Sequence, residues 1–529
     1  MSKKYYLNYL KKNELAFVLL LCGIGILLRV ILFGEIPPGL NQDEAAAGYE
    51  AYSLLLTGKD KWGNIWPAYF IAWGAGQNVL YSYLLIPVIH FFGLTVEAVR
   101  SVNLIFGILT IPLLYEFTKK TVSRKIACIS TFLLAVSPWH VMLSRWGLES
   151  NLLPFFVLLG FYTVHRALSS KASLKERAFC LVPWAIALYA YGTFYFILFG
   201  IFLLLFKYYK PLILEKKSQW LISVIIFAIT SLPILLFTVK NSIFRNGLFF
   251  EKYLPFSIPL LTSTPFRAIN PQTNLEFIFN GFQDDKIWNR ISGLPPIYMI
   301  LFPFLCIGIK ILLDEWKSKA KASLLLVWLF SCLPMVFISS LNINRANAVF
   351  IPVLVIAAIG FEGLLEGIKD IDLKKILKKI ITIWVLVSSF LFVTNYFFFY
   401  SSTAAIAFNY GLENAFDRAI TQSRLSEKIL VTDRIKLPYV YALFFTQYPP
   451  ADFQKDSQYS LDKDGIYNVR DFGRFYFDKN DPDLNRDRSF IFLQRVGEES
   501  LCNKNVILYS QNDWIVKRCF VNKTDDRQK

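Results

Sequence analysis

Apolar runs punctuate this chain of 529 residues, most of them close to the roughly 20 residues that a helix needs to cross the hydrocarbon core of a bilayer. After a first run at 15–33 they recur at 98–118, 126–143, 151–168, 178–191, 194–206, 220–239, 293–312, 322–340, 346–368 and 376–399. Runs 178–191 and 194–206 are short, and Gly192 between them leaves open a single kinked helix. Hydrophobic residues make up 55% of the chain and charged ones 18%, against about 25% in soluble domains, which excludes a soluble globular enzyme, a disordered chain and a disulfide scaffold. The first run follows Lys3, Lys4, Lys11 and Lys12 in the charge order of a signal peptide. It is too long for one, and Gly34-Glu35-Ile36-Pro37 offers no small-residue cleavage site, so an uncleaved membrane helix is expected.

The net charge of +17 would suggest nucleic acid in a soluble chain. Here basic loops explain it, and no nucleic-acid partner is expected. A short apolar run at 79–92 contains Pro87 and His90. Counting it as a span would place Lys119, Lys120, Arg124 and Lys125 outside, so we read it as interfacial or re-entrant. The N-terminus and loops 119–125, 166–177, 207–217, 310–321 and 369–379 then each carry four or five Lys/Arg, whereas the longer outer loops before residue 400 carry ten in all. This predicts a polytopic α-helical protein of the plasma membrane, with about eleven spans and a cytoplasmic N-terminus.

Beyond residue 400 the composition turns polar. Residues 410–424 read as an amphipathic helix, 428–433 as a buried strand and 438–448 as a second helix, with later strands at 490–496, 505–510 and 513–520. The predicted organisation is a transmembrane domain over 1–400, with outer loops 34–97 and 240–292, and a small extracytoplasmic α/β domain over 401–529. Cys502 and Cys519 in that domain are either paired or two free thiols. The other five cysteines lie in apolar runs as small hydrophobes, and the three histidines are scattered, so no metal-ligand spacing stands out.

Asp43 and Glu44 follow the first span, ahead of an Ala-rich stretch expected to form a surface helix. Adjacent carboxylates beside apolar surface are costly unless paired or used. Residue chemistry by itself favours a helix cap for Asp43. In the loop 137–151, Arg145 and Glu149 stand four apart, as an i,i+4 ion pair or as a third carboxylate with an arginine setting its charge. Arg29, Arg100 and Arg345 lie near outer span ends, where snorkelling explains any one of them and phosphate binding would suit them together.

The order N-x-D-E-A (41–45), G-K-D-x-W-G-x-x-W-P (58–67), L-Y-S-Y-L-L-x-P (80–87), F-G (92–93), A-V-R-S (98–101), S-P-W-H (137–140) and S-R-W-G-L-E-S-N (144–151) resembles the bacterial GT-C glycosyltransferases, and within them the protein mannosyltransferase and aminoarabinose transferase group. The likeness covers roughly 10–400 in topology, with its specific motifs in the first 151 residues. It implies a GT-C fold and transfer of a sugar, with inversion, from a polyprenyl-phosphate donor to an extracytoplasmic protein or glycolipid acceptor. It implies Asp43 as general base, Glu44 as its neighbour and Glu149 as the second acidic site. Arg345, Arg100 and Arg145 are the candidates for the donor phosphate. Where aminoarabinose-type enzymes often carry a lysine, this chain has Gln77 and Asn78, which weakens the match at that contact. No cofactor is required, and a divalent cation at Asp43, Glu44 or Glu149 stays open. The competing class is a transporter or flippase of an envelope precursor. Carboxylates gathered at the outer edge and the lack of a half-repeat favour the enzyme over it. A ligand sensor built on 400–529 ranks last, because it leaves the long first loop without a role.

Overall fold

Prolines decide where the apolar runs become helices. The structure, a computed structural model, describes residues 3–72, 76–245, 250–261, 270–316, 323–461, 466–481, 484, 489–499, 501–502 and 504–520. The run at 126–143 is two helices, Arg124–Val136 and Pro138–Leu143, because Pro138 lacks an N–H and pushes Ser137 into an extended conformation. The run at 322–340 is interrupted only by a turn at Leu333-Pro334, between Ser323–Cys332 and Met335–Ile338. Val182–Ala187 and Phe194–Glu215 are separate helices with Gly192 in the turn between them, which closes the one-kinked-helix alternative. Among the described residues five helices are long and apolar enough to cross a membrane: Val96–Thr121, Phe194–Glu215, Lys217–Ser242, Phe350–Gly367 and Ile371–Phe398. Shorter apolar helices cover Leu15–Val30, Leu80–Phe92 and Leu324–Ile338. Part of loop 310–321, and Arg267 in loop 240–292, lie outside the described residues.

The chain divides into two compact units. The first, Met1–Ile36, Arg100–Leu235 and Phe266–Ser402, is helical. Its closest pairing joins Leu301–Trp316 to Phe350–Gly367 across Gly308 and Gly360. A Cβ on Gly360 would strike the Phe304 carbonyl, and one on Gly308 the Ile356 carbonyl, so only glycine permits this approach.

The second unit comprises Pro37–Val99, Leu236–Pro265 and Thr403–Lys529. Helix Gln42–Thr57 was expected at the surface. Instead it is buried over Glu44–Ala51, Ser53 and Leu54, and packs on Leu80–Phe92 and Pro438–Thr446. Gly48 lets neighbours approach closely, since a Cβ there would strike Val99 and Phe444. The rest of this unit is a seven-stranded sheet: β1 Ile429–Val431, β2 Gln458–Leu461, β3 Tyr467–Phe472, β4 Phe475–Tyr476, β5 Ser489–Arg495, β6 Lys504–Gln511 and β7 Trp514–Phe520. Its order is β2-β3-β4-β1-β5-β7-β6, with β1 parallel to β4 and β5 and every other pair antiparallel. β1 is buried throughout, and helix Leu412–Gln422 buries Leu412, Ala415, Phe416 and Ala419 on one stripe. Cys502 and Cys519 are joined as a disulfide within an apolar cluster that includes Leu430, Phe490 and Phe492.

Candidate functional site

The helix carrying Asp43 starts with a capping box in which Asp43 is not the cap. Asn41 is the N-cap: its Oδ1 accepts from the Asp43 backbone N–H at 3.0 Å, and its own N–H donates to Glu44 Oε2 at 3.0 Å. The approach to this cap is fixed within the same unit. Leu40 N–H donates to the Phe408 carbonyl at 2.6 Å, and Asn41 Nδ2 to the Ala407 carbonyl at 3.2 Å. Gly39 takes φ +70° there, and a Cβ would collide with the Phe408 carbonyl. Glu44 is fully buried and holds the turn, while Asp43 is half-buried at the second helical position, where the helix dipole favours a carboxylate. The cap reading of Asp43 is thereby corrected: Asn41 and Glu44 perform that task.

Across from Asp43 lies Tyr441, fully buried, whose hydroxyl accepts from Asn409 Nδ2 at 2.7 Å. Burial, followed by the Asp43 carboxylate, raises this hydroxyl well above the usual tyrosine range. Arg495 donates to Asn409 Oδ1 at 2.8 Å.

In the first unit the arginines separate by what they hold. Arg145 caps the end of the first helix: Nε donates to the Ile36 carbonyl at 3.2 Å, Nη1 to Leu28 at 3.2 Å and Arg29 at 2.9 Å, and Nη2 to Leu32 at 2.8 Å. Its guanidinium also lies over the rings of Tyr396 and Phe397. Arg100 Nη1 donates to the Gly34 carbonyl at 2.7 Å. Neither arginine snorkels, since both are fully buried. Nor does Arg29, which donates to the carbonyls of Gly25, Leu134 and Ala135, to Ser144 Oγ and to His140 Nδ1 at 2.7 Å. An arginine only donates, so His140 carries its proton on Nε2, an atom with no partner among the described residues.

Arg145 and Glu149 are not one helical turn, because the helix ends at Leu143 and Glu149 opens a separate 3₁₀ turn. Asn347 ties this loop to the segment bearing Arg345. It accepts from Trp139 Nε1 at 2.9 Å and donates to the Ser150 carbonyl at 3.1 Å. Arg345 is half-buried, and its Nη1 bonds to the Ser340 carbonyl and hydroxyl. Among the described residues its Nε and Nη2 have no partner. Asp284 secures the segment by accepting from Ile343 N–H at 2.9 Å. Sequence reading missed Asn41, Asp284 and Asn347 in these roles. N-x-D-E alone carried a signal, as a capping-box spacing from Asn41 to Glu44. The six candidates thus divide, with Asp43 and Glu44 in the second unit and Glu149, Arg100, Arg145 and Arg345 in the first. No group of three His, Cys, Asp or Glu side chains is gathered as a metal would need, among the described residues.

Residues 52–236 match the family described as dolichyl-phosphate-mannose-protein mannosyltransferase, a stretch that includes Arg100, Arg145 and Glu149. No curated protein matches the chain. The fold is similar to that of ArnT from Cupriavidus metallidurans. With ArnT bound to undecaprenyl phosphate the identity is 11% and the TM-score 0.60, covering 95% of this chain and 98% of that one. With ArnT in the apo state the identity is 11% and the TM-score 0.59, covering 95% and 97%. The resemblance read from the motifs is borne out: this is a membrane protein with apolar helices and an ArnT-like GT-C fold.

Proposed function

We propose that this GT-C chain is a glycosyltransferase that moves a sugar from a polyprenyl-phosphate carrier to an acceptor hydroxyl, with inversion. The observation that carries the reading is the capping box, which holds the turn at Asp43 rigidly through Asn41 and Glu44 and does not use the Asp43 carboxylate as its cap. A neutral hydroxyl is a poor nucleophile, so Asp43 takes its proton as the oxygen bonds to the anomeric carbon. The bond from that carbon to the carrier phosphate breaks at the same time, and the phosphate departs as a monoester carrying one more negative charge. Arg345, whose Nε and Nη2 have no partner among the described residues, is suited to that charge. Arg145 and Arg100 are better described as holding the end of the first helix. Undecaprenyl phosphate in ArnT supports a lipid phosphate as the donor's carrier, and the acceptor is a protein or a glycolipid.

Arg345→Gln is expected to weaken binding of the lipid-linked donor by roughly 1.5–3 kcal/mol, with partial recovery in Arg345→Lys. Donor affinity measured on purified protein decides this, and affinity unchanged from the parent in both variants would remove the phosphate role. For topology, the reading puts Asp285 and Tyr459 outside and Arg124 and Lys375 inside. Single cysteines at these positions, on a background whose other exposed thiols are removed, should label from outside the cell only at 285 and 459. Labelling at 124 would mean that Leu80–Phe92 crosses the bilayer.

A further inference from the structure

The motif G-K-D-x-W-G-x-x-W-P is not used by the mechanism above, yet it builds one wall of a cavity of about 680 Å³ in the second unit. Asp60 folds the turn: Oδ1 accepts from the backbone N–H groups of Trp62 at 2.9 Å and Asn64 at 2.8 Å, and Oδ2 from Asn64 Nδ2 at 2.9 Å. Facing it, the segment around Ser257 is pinned to the turn. Ile65 N–H donates to Ser257 Oγ at 3.0 Å, Ser257 N–H to the Ile65 carbonyl at 2.8 Å, and Ala68 N–H to the Ser257 carbonyl at 3.0 Å. Lys240 fixes the far side through the Glu251 carboxylate and the Ile258 carbonyl. The walls are therefore held in place by specific bonds.

Tyr467 and Phe256 are the aromatic residues that line this cavity. The Tyr467 ring is braced by Trp62 at 4.8 Å and Tyr459 at 5.1 Å, and Trp62 is itself packed against Phe453 at 5.7 Å. Asn64, Glu251 and Lys252 add polar groups, and Ile71, Phe256 and Leu260 apolar ones. An acyl chain would leave the charged groups desolvated without partners. Lys240 is neutralised by Glu251, so among the described lining residues Lys252 alone would face a polyanion. A sugar ring satisfies both kinds of lining. Its C–H face is weakly positive and complements the negative face of an aromatic ring, while its rim of hydroxyls both donates to and accepts from Asn, Glu and Lys. The volume falls within the roughly 300–1,000 Å³ of small-molecule clefts, and the cavity is open on one side.

We propose that this cavity is a saccharide subsite, and that the sugar it takes belongs to the acceptor. The acceptor assignment rests on the glycosyl-transfer reading, whereas sugar binding does not. Saturation-transfer NMR on the full-length protein in nanodiscs, with chitobiose, cellobiose, mannobiose and galactobiose as probes at millimolar concentration, tests it without turnover. At least one probe should receive saturation at its ring C–H protons. Its affinity should fall about tenfold or more in Tyr467→Ala and in the cavity-filling Leu260→Trp, and by less than about threefold in Tyr467→Phe, which keeps the ring and controls for folding. No transfer to any of the four, or unchanged affinity in both Tyr467→Ala and Leu260→Trp, overturns the subsite. Loss of disaccharide binding in Leu260→Trp with sugar transfer unimpaired supports the subsite and overturns its acceptor assignment.

Discussion

Asp43→Asn should lower sugar transfer by about 10²–10⁴-fold while the protein still folds and inserts, because the amide keeps the shape of the side chain and cannot take a proton. The structure sharpens this expectation. The side chains that start helix Gln42–Thr57 are Asn41 and Glu44, so the helix keeps its cap when Asp43 loses its charge. Glu44→Gln should do less harm, since its amide oxygen still accepts from the Asn41 N–H. Glu44→Ala removes that acceptor and should cost roughly 0.5–2 kcal/mol of stability as a lost cap. Transfer rates with a lipid-linked sugar, measured beside thermal unfolding of the same samples, separate the two roles. Near-normal turnover in Asp43→Asn would sink the general-base assignment.

What was legible in the sequence follows from the range of the interactions involved. Long apolar runs and the alternation over 410–448 are local patterns, and helix Leu412–Gln422, strand β1 and helix Pro438–Thr446 appear where those patterns lie. Strands β2 to β4 were not foreseen. β2 is exposed along its whole length, and β4 has two residues, so neither leaves an alternating burial pattern to read. The arginines were visible as charges and opaque as contacts. Arg145 reaches carbonyls more than 100 positions earlier in the chain, and Arg29 reaches as far forward to His140, so no spacing rule could pair them. Asn347 has no spacing that marks it, and only the fold reveals its bonds to Trp139 and Ser150.

Lys61→Met should destabilise the second unit by about 3–5 kcal/mol, the usual cost of stranding one member of a buried ion pair. Lys61 and Glu50 are almost wholly buried and ion-paired through their side chains, and the Lys61 backbone N–H donates to Glu50 Oε2 at 3.0 Å. Replacing the ammonium leaves the Glu50 carboxylate facing Asp60 with its compensating charge gone. The double variant Glu50→Gln with Lys61→Met should recover much of the loss, because no charge is then stranded. Asp60 makes the cluster pH-sensitive. Burial, and then the charge on Glu50, raises its carboxyl from 3.8 to about 7. An acid whose pKa is higher in the folded state holds more protons folded than unfolded between those values, so stability declines as pH rises through that window. Lys61 opposes the shift and Glu50 promotes it, so between about pH 5 and pH 8 the decline should continue to higher pH in Lys61→Met and end at lower pH in Glu50→Gln. Denaturant unfolding of the solubilised protein across that range measures both effects. A Lys61→Met protein within about 1 kcal/mol of the parent at neutral pH would show that the pair contributes no more than an exposed salt bridge.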